Sequence, residues 1–175
     1  MGTCLGSQNE FAKYDYYNTL TFFQNSCKLV ARVVDIYDGD TCTVIVKYYN
    51  RYIKVVVRLY GIDTCEIKSQ SEVNKLLAYQ SRERLYELVT NKKLVDKMCT
   101  RTEIRKLLNE SVYLVTLETY GLDKYGRLLV TMYKLDVSKN SFSDILLSEK
   151  LAYKYYGRTK LSEKEQSQLL NRYTM

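Results

Sequence analysis

The 175-residue sequence contains no histidine, no proline and no tryptophan, and only seven glycines. The missing histidine excludes the most, since it removes every mechanism that needs an imidazole base or an imidazole metal ligand. Five cysteines (Cys4, Cys27, Cys42, Cys65 and Cys99) are odd in number, widely spaced and without a CxxC pair. That pattern argues against a zinc site and against a complete disulfide framework, and favours reduced thiols in an intracellular compartment. No secretory signal is recognisable, with its basic stretch, apolar run and small-residue cleavage site, and no apolar run reaches membrane-spanning length.

What is present is an ordinary globular composition, 46% hydrophobic and 27% charged, in a chain long enough for one well-cored domain. Lys and Arg exceed Asp and Glu by 27 to 20, a formal +7 that mildly favours an anionic partner such as nucleic acid. Residues 1–26 are polar and aromatic without a clear period and read as an arm; residues 27–175 read as the domain. Within the arm, Met1-Gly2-Thr3-Cys4-Leu5-Gly6-Ser7 resembles an acylation signal, with Gly2 for myristate and Cys4 for palmitate. The favoured hydroxyl residue falls one position late, and the competing reading is an ordinary N-terminus. Two lipids there would attach the chain to a membrane, the one route to a membrane that the sequence offers. No obligate protein partner is evident.

Val30–Ile36, Thr41–Tyr48 and Arg51–Tyr60 are rich in β-branched and aromatic residues, with Asp38-Gly39-Asp40 and Tyr49-Asn50 as turns, and predict a three-strand meander. Val73, Leu76, Leu77, Gln80, Arg84, Leu85 and Leu88 recur at helical spacing. Ile104, Leu107 and Leu108 suggest a short extra helix within Asp96–Glu110, a stretch with no assigned role. Val112–Tyr120 and Arg127–Leu135 predict two further strands, and Ser141–Tyr153 an amphipathic helix with Phe142, Ile145, Leu146 and Leu151 inward. A last helix is expected after Ser162, with Glu165 closing a capping box. The expected class is α+β, mainly β: a five-stranded OB-type barrel with three or more helices, a common nucleic-acid platform.

Asp38-Gly39-Asp40-Thr41, Arg58-Leu59-Tyr60-Gly61-Ile62-Asp63-Thr64-Cys65-Glu66 and Asp123-Lys124-Tyr125-Gly126-Arg127 set charged groups at strand ends and turns. Carboxylates without histidine or paired cysteine suit a hard cation, Ca²⁺ ahead of Mg²⁺ or Mn²⁺. Guanidinium groups neutralise a phosphodiester through paired hydrogen bonds, and a further carboxylate can orient or deprotonate water. Together these are the parts for hydrolysing a phosphate ester.

The three segments, in this order, resemble the signatures of the staphylococcal nuclease (thermonuclease-like) family: the DGDT turn, the R-x-x-x-(I/V)-D-T-P-E run and the D-K-Y-G-R turn. The resemblance spans roughly Leu29 to Leu170 and implies a calcium-dependent nuclease acting on DNA, with RNA open, and leaving 3′-phosphate ends. It implies that Asp40, Asp63 and the Thr64 carbonyl hold Ca²⁺, with Asp38 near the metal's waters. Glu66 would hold or deprotonate the attacking water, while Arg58 and Arg127 grip the phosphate. Lys124, Tyr125, Tyr153 and Tyr155 match positions that contact bound nucleotide. Cys65 stands where the family usually has proline, a change expected to loosen Thr64; beside carboxylates its thiol should be a poor thiolate.

Each feature also has a plainer reading. Asp-Gly turns are common in β proteins, a lone strand arginine is usually surface, and most of eighteen tyrosines must be core or surface. The rival function is a non-catalytic OB-fold nucleic-acid-binding module; a second is a phosphodiesterase of small nucleotides. Degenerate members of the family usually lose carboxylates or arginines, and this sequence retains them.

Overall fold

A computed structural model describes residues 27–48, 50–94, 98–135 and 139–170. Five strands close a barrel in the order β1 (Lys28–Ile36), β2 (Thr41–Tyr48), β3 (Arg51–Leu59), β6 (Leu128–Lys134) and β5 (Leu114–Leu122). All neighbours are antiparallel except β3 and β6, which run parallel. The expected OB-type, mainly β barrel is therefore the observed one, and among the described residues four helices accompany it. Side-chain alternation fills the interior: Cys42, Val44 and Val46 from β2, Val115 and Leu117 from β5, Leu128, Val130 and Met132 from β6 are all buried. Tyr48 pairs with Arg51, which leaves two residues for the predicted turn, of which Tyr49 lies outside the described residues.

Two short strands were not foreseen. β4 (Ile62–Asp63) and β7 (Tyr153–Lys154) pair antiparallel beside the barrel. The helix expected over Ser141–Tyr153 is α3 (Phe142–Ser148), capped by Ser141 and Asp144. It stops because Lys150 adopts φ +51°, so Leu151 is buried from the following loop and Tyr153 belongs to β7. α1 (Glu72–Thr90) is also corrected in its inward face. Val73 and Leu76 are exposed, while Asn74, Leu77, Ala78, Ser81, Arg82, Leu85, Tyr86 and Val89 are buried. α4 (Glu163–Leu170) begins as expected, with the Ser162 hydroxyl and backbone N–H on Glu165. Among the described residues no helix is long and apolar enough to cross a membrane.

The stretch without an assigned role contains α2 (Arg101–Asn109), whose capping box pairs Thr100 with Glu103. Ile104 and Leu108 enter the main core, and Leu107 packs against it. The polar anchor is Asp35, placed by a bulge in β1 between Val33 and Asp35. Its carboxylate accepts from Arg101 Nη2 at 2.5 Å and Arg105 Nη2 at 2.9 Å, and Asn109 Nδ2 donates to the Val34 carbonyl at 2.9 Å. Burial pushes the Asp35 pKa up, but the two arginines outweigh it and the net shift is downward. A carboxylate with a lowered folded pKa stabilises above its unfolded pKa, about 3.9, and loses that contribution as pH falls through the folded value. Asp35→Asn should therefore lower stability to urea at pH 7 by about 1–3 kcal/mol, less than a fully buried pair because both arginines are half in water. At pH 2 the two proteins should differ far less; an unchanged gap would show that charge is not the anchor.

Candidate functional site

The three charged segments meet on the outside of β3. Val57 and Leu59 point into the barrel, so alternation turns Arg58 to the opposite face. The β2–β3 register sets Thr41 directly opposite Arg58, which brings the preceding turn alongside. Leu59 N donates to the Asp40 carbonyl at 2.8 Å and fastens the turn to the strand. Gly39 is required by crowding: a Cβ there would lie 2.4 Å from Ser81 Cβ and 2.9 Å from Thr64 Cγ2. Helix α1 and the 64–65 loop thus press the turn from behind.

The Arg58 guanidinium bridges two carboxylates, Nη1 to Asp40 Oδ1 at 2.7 Å and Nη2 to Asp63 Oδ1 at 2.5 Å. Nη2 also lies 3.3 Å from the Ile62 carbonyl, and only 8% of the side chain is exposed. Burial alone would lower the guanidinium pKa; Asp40 and Asp63 outweigh it and raise it. Asp40 also accepts from the Thr41 hydroxyl at 2.8 Å and from Thr64 N at 3.3 Å. Asp38 Oδ1 receives Asp40 N at 3.1 Å. Burial pushes the pKa of Asp38 up, and it pushes that of Asp40 well up, with repulsion from Asp38 adding to it.

Arg127 reaches the same place from the second turn. Asp123 caps that turn, its Oδ1 taking the backbone N–H groups of Tyr125 and Arg127 at 2.8 and 2.9 Å. Its Oδ2 takes the Arg127 side chain at 2.7 Å, and Arg127 Nη1 donates to the Thr41 hydroxyl at 3.3 Å. Lys124 and Arg127 both lie over the ring of Tyr125, 5.0 and 5.4 Å from its centroid, and Tyr125 is 71% exposed. Asp123 belonged to a recognised turn, yet the sequence did not mark it as the group that aims Arg127.

Asp63 is held by three side chains. Besides Arg58 it accepts from the Tyr153 hydroxyl on Oδ2 and from Lys160 Nζ at 3.0 Å on Oδ1. Lys160 simultaneously holds Glu66 at 2.9 Å. Tyr153 is therefore turned inward, a buried partner of Asp63 rather than an open platform, and its hydroxyl pKa is raised by burial and by Asp63. Tyr155 keeps the cleft position, with Arg58 5.9 Å from its ring centroid and its hydroxyl on the Arg158 carbonyl at 2.8 Å. Glu66 is exposed and meets Lys160 rather than the arginines. Lys160 was missed, since nothing local in the sequence distinguishes it from other lysines.

Cys65 is buried with Leu77, Ala78, Tyr153 and Leu170, and Thr64 is buried beside it. Burial pushes its thiol up to about 12, as expected of a poor thiolate. A cleft of about 540 Å³ runs between the 123–127 turn, the 58–62 segment and the 155–160 segment, lined by Arg58, Lys124, Arg127, Arg158 and Lys160 among others. Its wall carries an unforeseen tyrosine cluster: Tyr60 stacks on Tyr120 at 4.7 Å and meets the edge of Tyr156 at 5.9 Å. Gly2 and Cys4 lie outside the described residues.

A closed barrel bearing carboxylates, guanidinium groups and tyrosines around one basic cleft defines a class of nucleic-acid-handling OB domains. Residues 56–174 match the staphylococcal nuclease homologue family, more than half of the sequence, and the chain belongs to that family. Among curated proteins none matches the chain. The match begins downstream of Asp38 and Asp40, so these two enter the site on geometry.

Removing Arg58 would strand two buried carboxylates. Arg58→Ala should cost about 3–5 kcal/mol in urea unfolding at pH 7, and Arg58→Ala combined with Asp40→Asn should cost less than the sum of the single changes. Strict additivity would show that the two side chains are not energetically linked.

Proposed function

We propose that the chain is a calcium-dependent nuclease that hydrolyses phosphodiester bonds of DNA, and RNA as a second substrate, leaving 3′-phosphate and 5′-hydroxyl ends. The carrying observation is the convergence of Asp40, Arg58, Asp63 and Arg127, from three separate segments, on one edge of a basic cleft. The donor set fits the metal. Asp40 and Asp63 are buried carboxyl groups held side by side by Arg58, and a dication between them would favour the ionised form that burial opposes at Asp40. Among the described residues no three such side chains already converge as a chelate. Ligation by Asp40 and Asp63 would therefore draw on the Thr64 carbonyl and on water, which the irregular shell of Ca²⁺ accepts. Bound there, Ca²⁺ supplies positive charge to the phosphoryl oxygens.

The chain's own groups account for the remaining chemistry. Arg127, aimed by Asp123, donates to the phosphate oxygens, where charge grows as phosphorus is attacked, and Arg58, which also lines the cleft, adds its positive charge from its seat between Asp40 and Asp63. Glu66, exposed and paired with the cleft-lining Lys160, holds the attacking water and accepts its proton. Asp38 fixes the Asp40 backbone and orients water near the metal. Lys124, Tyr125 and Tyr155 supply cationic and aromatic contacts to the flanking nucleotide, and the Tyr60–Tyr120–Tyr156 cluster adds aromatic surface of the kind on which bases stack.

Purified protein should cut single-stranded and double-stranded DNA with Ca²⁺ and stop with chelator. Glu66→Gln should abolish cleavage at unchanged thermal stability, because Glu66 is exposed. Arg127→Ala should lower kcat by about 10²–10³-fold, the usual cost of losing a donor to developing charge. DNA binding without cleavage under any divalent cation would favour the non-catalytic barrel. Cleavage of a dinucleotide but not of long DNA would favour the small-nucleotide phosphodiesterase.

A further inference from the structure

Asp63 and Glu66 are joined by an ammonium group that the chain itself supplies. Lys160 Nζ sits 3.0 Å from Asp63 Oδ1 and 2.9 Å from Glu66 Oε1. Asp63 Oδ1 is also held by Arg58, and Asp63 Oδ2 by Tyr153, so both oxygens of this carboxylate are engaged. Three donors on about four lone-pair sites leave room at Oδ2 alone, so a cation that takes Oδ1 or chelates both oxygens loosens one of the three partners. Two of them are fixed. Arg58 is buried and bound to Asp40 as well, and Tyr153 is buried under α4 with Gln166 Nε2 3.4 Å from its hydroxyl. Lys160 is the movable one: its side chain is 43% exposed, and a lysine is a compact charge on a flexible stem.

The backbone around Lys160 is anchored on both sides. Tyr155 N donates to the Gly61 carbonyl at 3.0 Å, and the Leu161 carbonyl accepts from Gln166 Nε2 at 2.8 Å. Its side chain can thus swing without unravelling the segment. Lys160 also lines the cleft that carries Arg58, Arg127 and Arg158. Released from the carboxylates, the ammonium has an anionic phosphate as its natural next partner.

We propose that Lys160 is a tethered competitor of the metal, occupying Asp63 and Glu66 until a divalent cation displaces it into the phosphate cleft. The proposal rests on the calcium reading of this site. It makes the carboxylate set weaker for Ca²⁺ than its charge alone would dictate, since each binding event must break two ion pairs. It also frees Glu66 from its cationic partner only when the metal is in place, which ties the availability of the water-holding carboxylate to the loaded site.

Calorimetric titration of CaCl₂ into the chelator-treated full chain, without nucleic acid, tests it. Lys160→Met keeps the stem and removes the charge, and should tighten Ca²⁺ binding by about 5- to 30-fold, the equivalent of two half-exposed ion pairs. Lys160→Arg should leave the affinity near that of the parent. Thermal melting supplies a second readout: Lys160→Met should melt below the parent in chelator, and the gap should close in saturating Ca²⁺. Equal or weaker Ca²⁺ affinity in Lys160→Met would overturn the competitor role while leaving the calcium reading intact. Absence of Ca²⁺ binding in parent and variant alike would overturn both. Binding by Lys160→Met alone would support the proposal in its strongest form.

Discussion

The guanidinium of Arg58, held between Asp40 and Asp63, is the interaction on which the remainder of the site depends. Two carboxylates so close repel one another, and each loses hydration when buried, at a cost of several kcal/mol per ion. One planar fork that serves both with separate nitrogens offsets repulsion and desolvation together, which a lysine could not do in the same geometry. Because Asp40 lies before β2, Arg58 at the end of β3 and Asp63 in β4, the same contact ties three chain segments. Stability and chemistry are consequently mixed at these positions. An inactive Arg58 or Asp40 variant says little about mechanism unless its folding is measured, whereas exposed Glu66 separates the two.

The site is braced by packing as much as by charge. Behind the Asp38–Asp40 turn, α1 approaches so closely that only glycine fits at position 39. Beneath the 64–65 loop, Cys65, Leu77, Ala78, Tyr153 and Leu170 form a small apolar cluster of their own. This second cluster packs beneath the loop at Cys65 and against β7 through Tyr153, beside the two-residue pairing of β4 with β7. Tyr153 joins both systems, its ring in the cluster and its hydroxyl on Asp63.

The barrel was legible in the sequence because strand periodicity is local: alternating residues such as Val44, Val46, Val130 and Met132 announce their faces within a few positions. α1 was legible as a helix but not in its facing. Its buried side includes Asn74, Ser81 and Arg82, whose partners (the Glu163 carbonyl, the Leu151 carbonyl and the Cys99 carbonyl) lie 89, 70 and 17 residues away. No periodicity of apolar residues encodes such contacts. The same holds at the site. Asp40, Arg58, Asp63 and Arg127 lie in compact motifs, whereas Lys160 meets Glu66 across 94 residues and the tyrosine cluster joins positions 60, 120 and 156. Tyr153 was recognised by position, and only its burial reveals that it faces Asp63.

Asp40 lies outside the family match, and the strand register sets its place beside Arg58. A strand register shifted by one residue reverses every side chain. In β3 such a slip would drive Arg58 into the barrel among residues such as Val44 and Leu128 and expose Val57 and Leu59 in its stead. The lost apolar burial and the unpaired interior charge would each cost several kcal/mol. The register that sets Thr41 opposite Arg58 is therefore protected by the core, and it fixes Asp40, the preceding residue, beside the guanidinium. The hydrophobic interior selects the alignment, and the alignment assembles the charged site on its outer face.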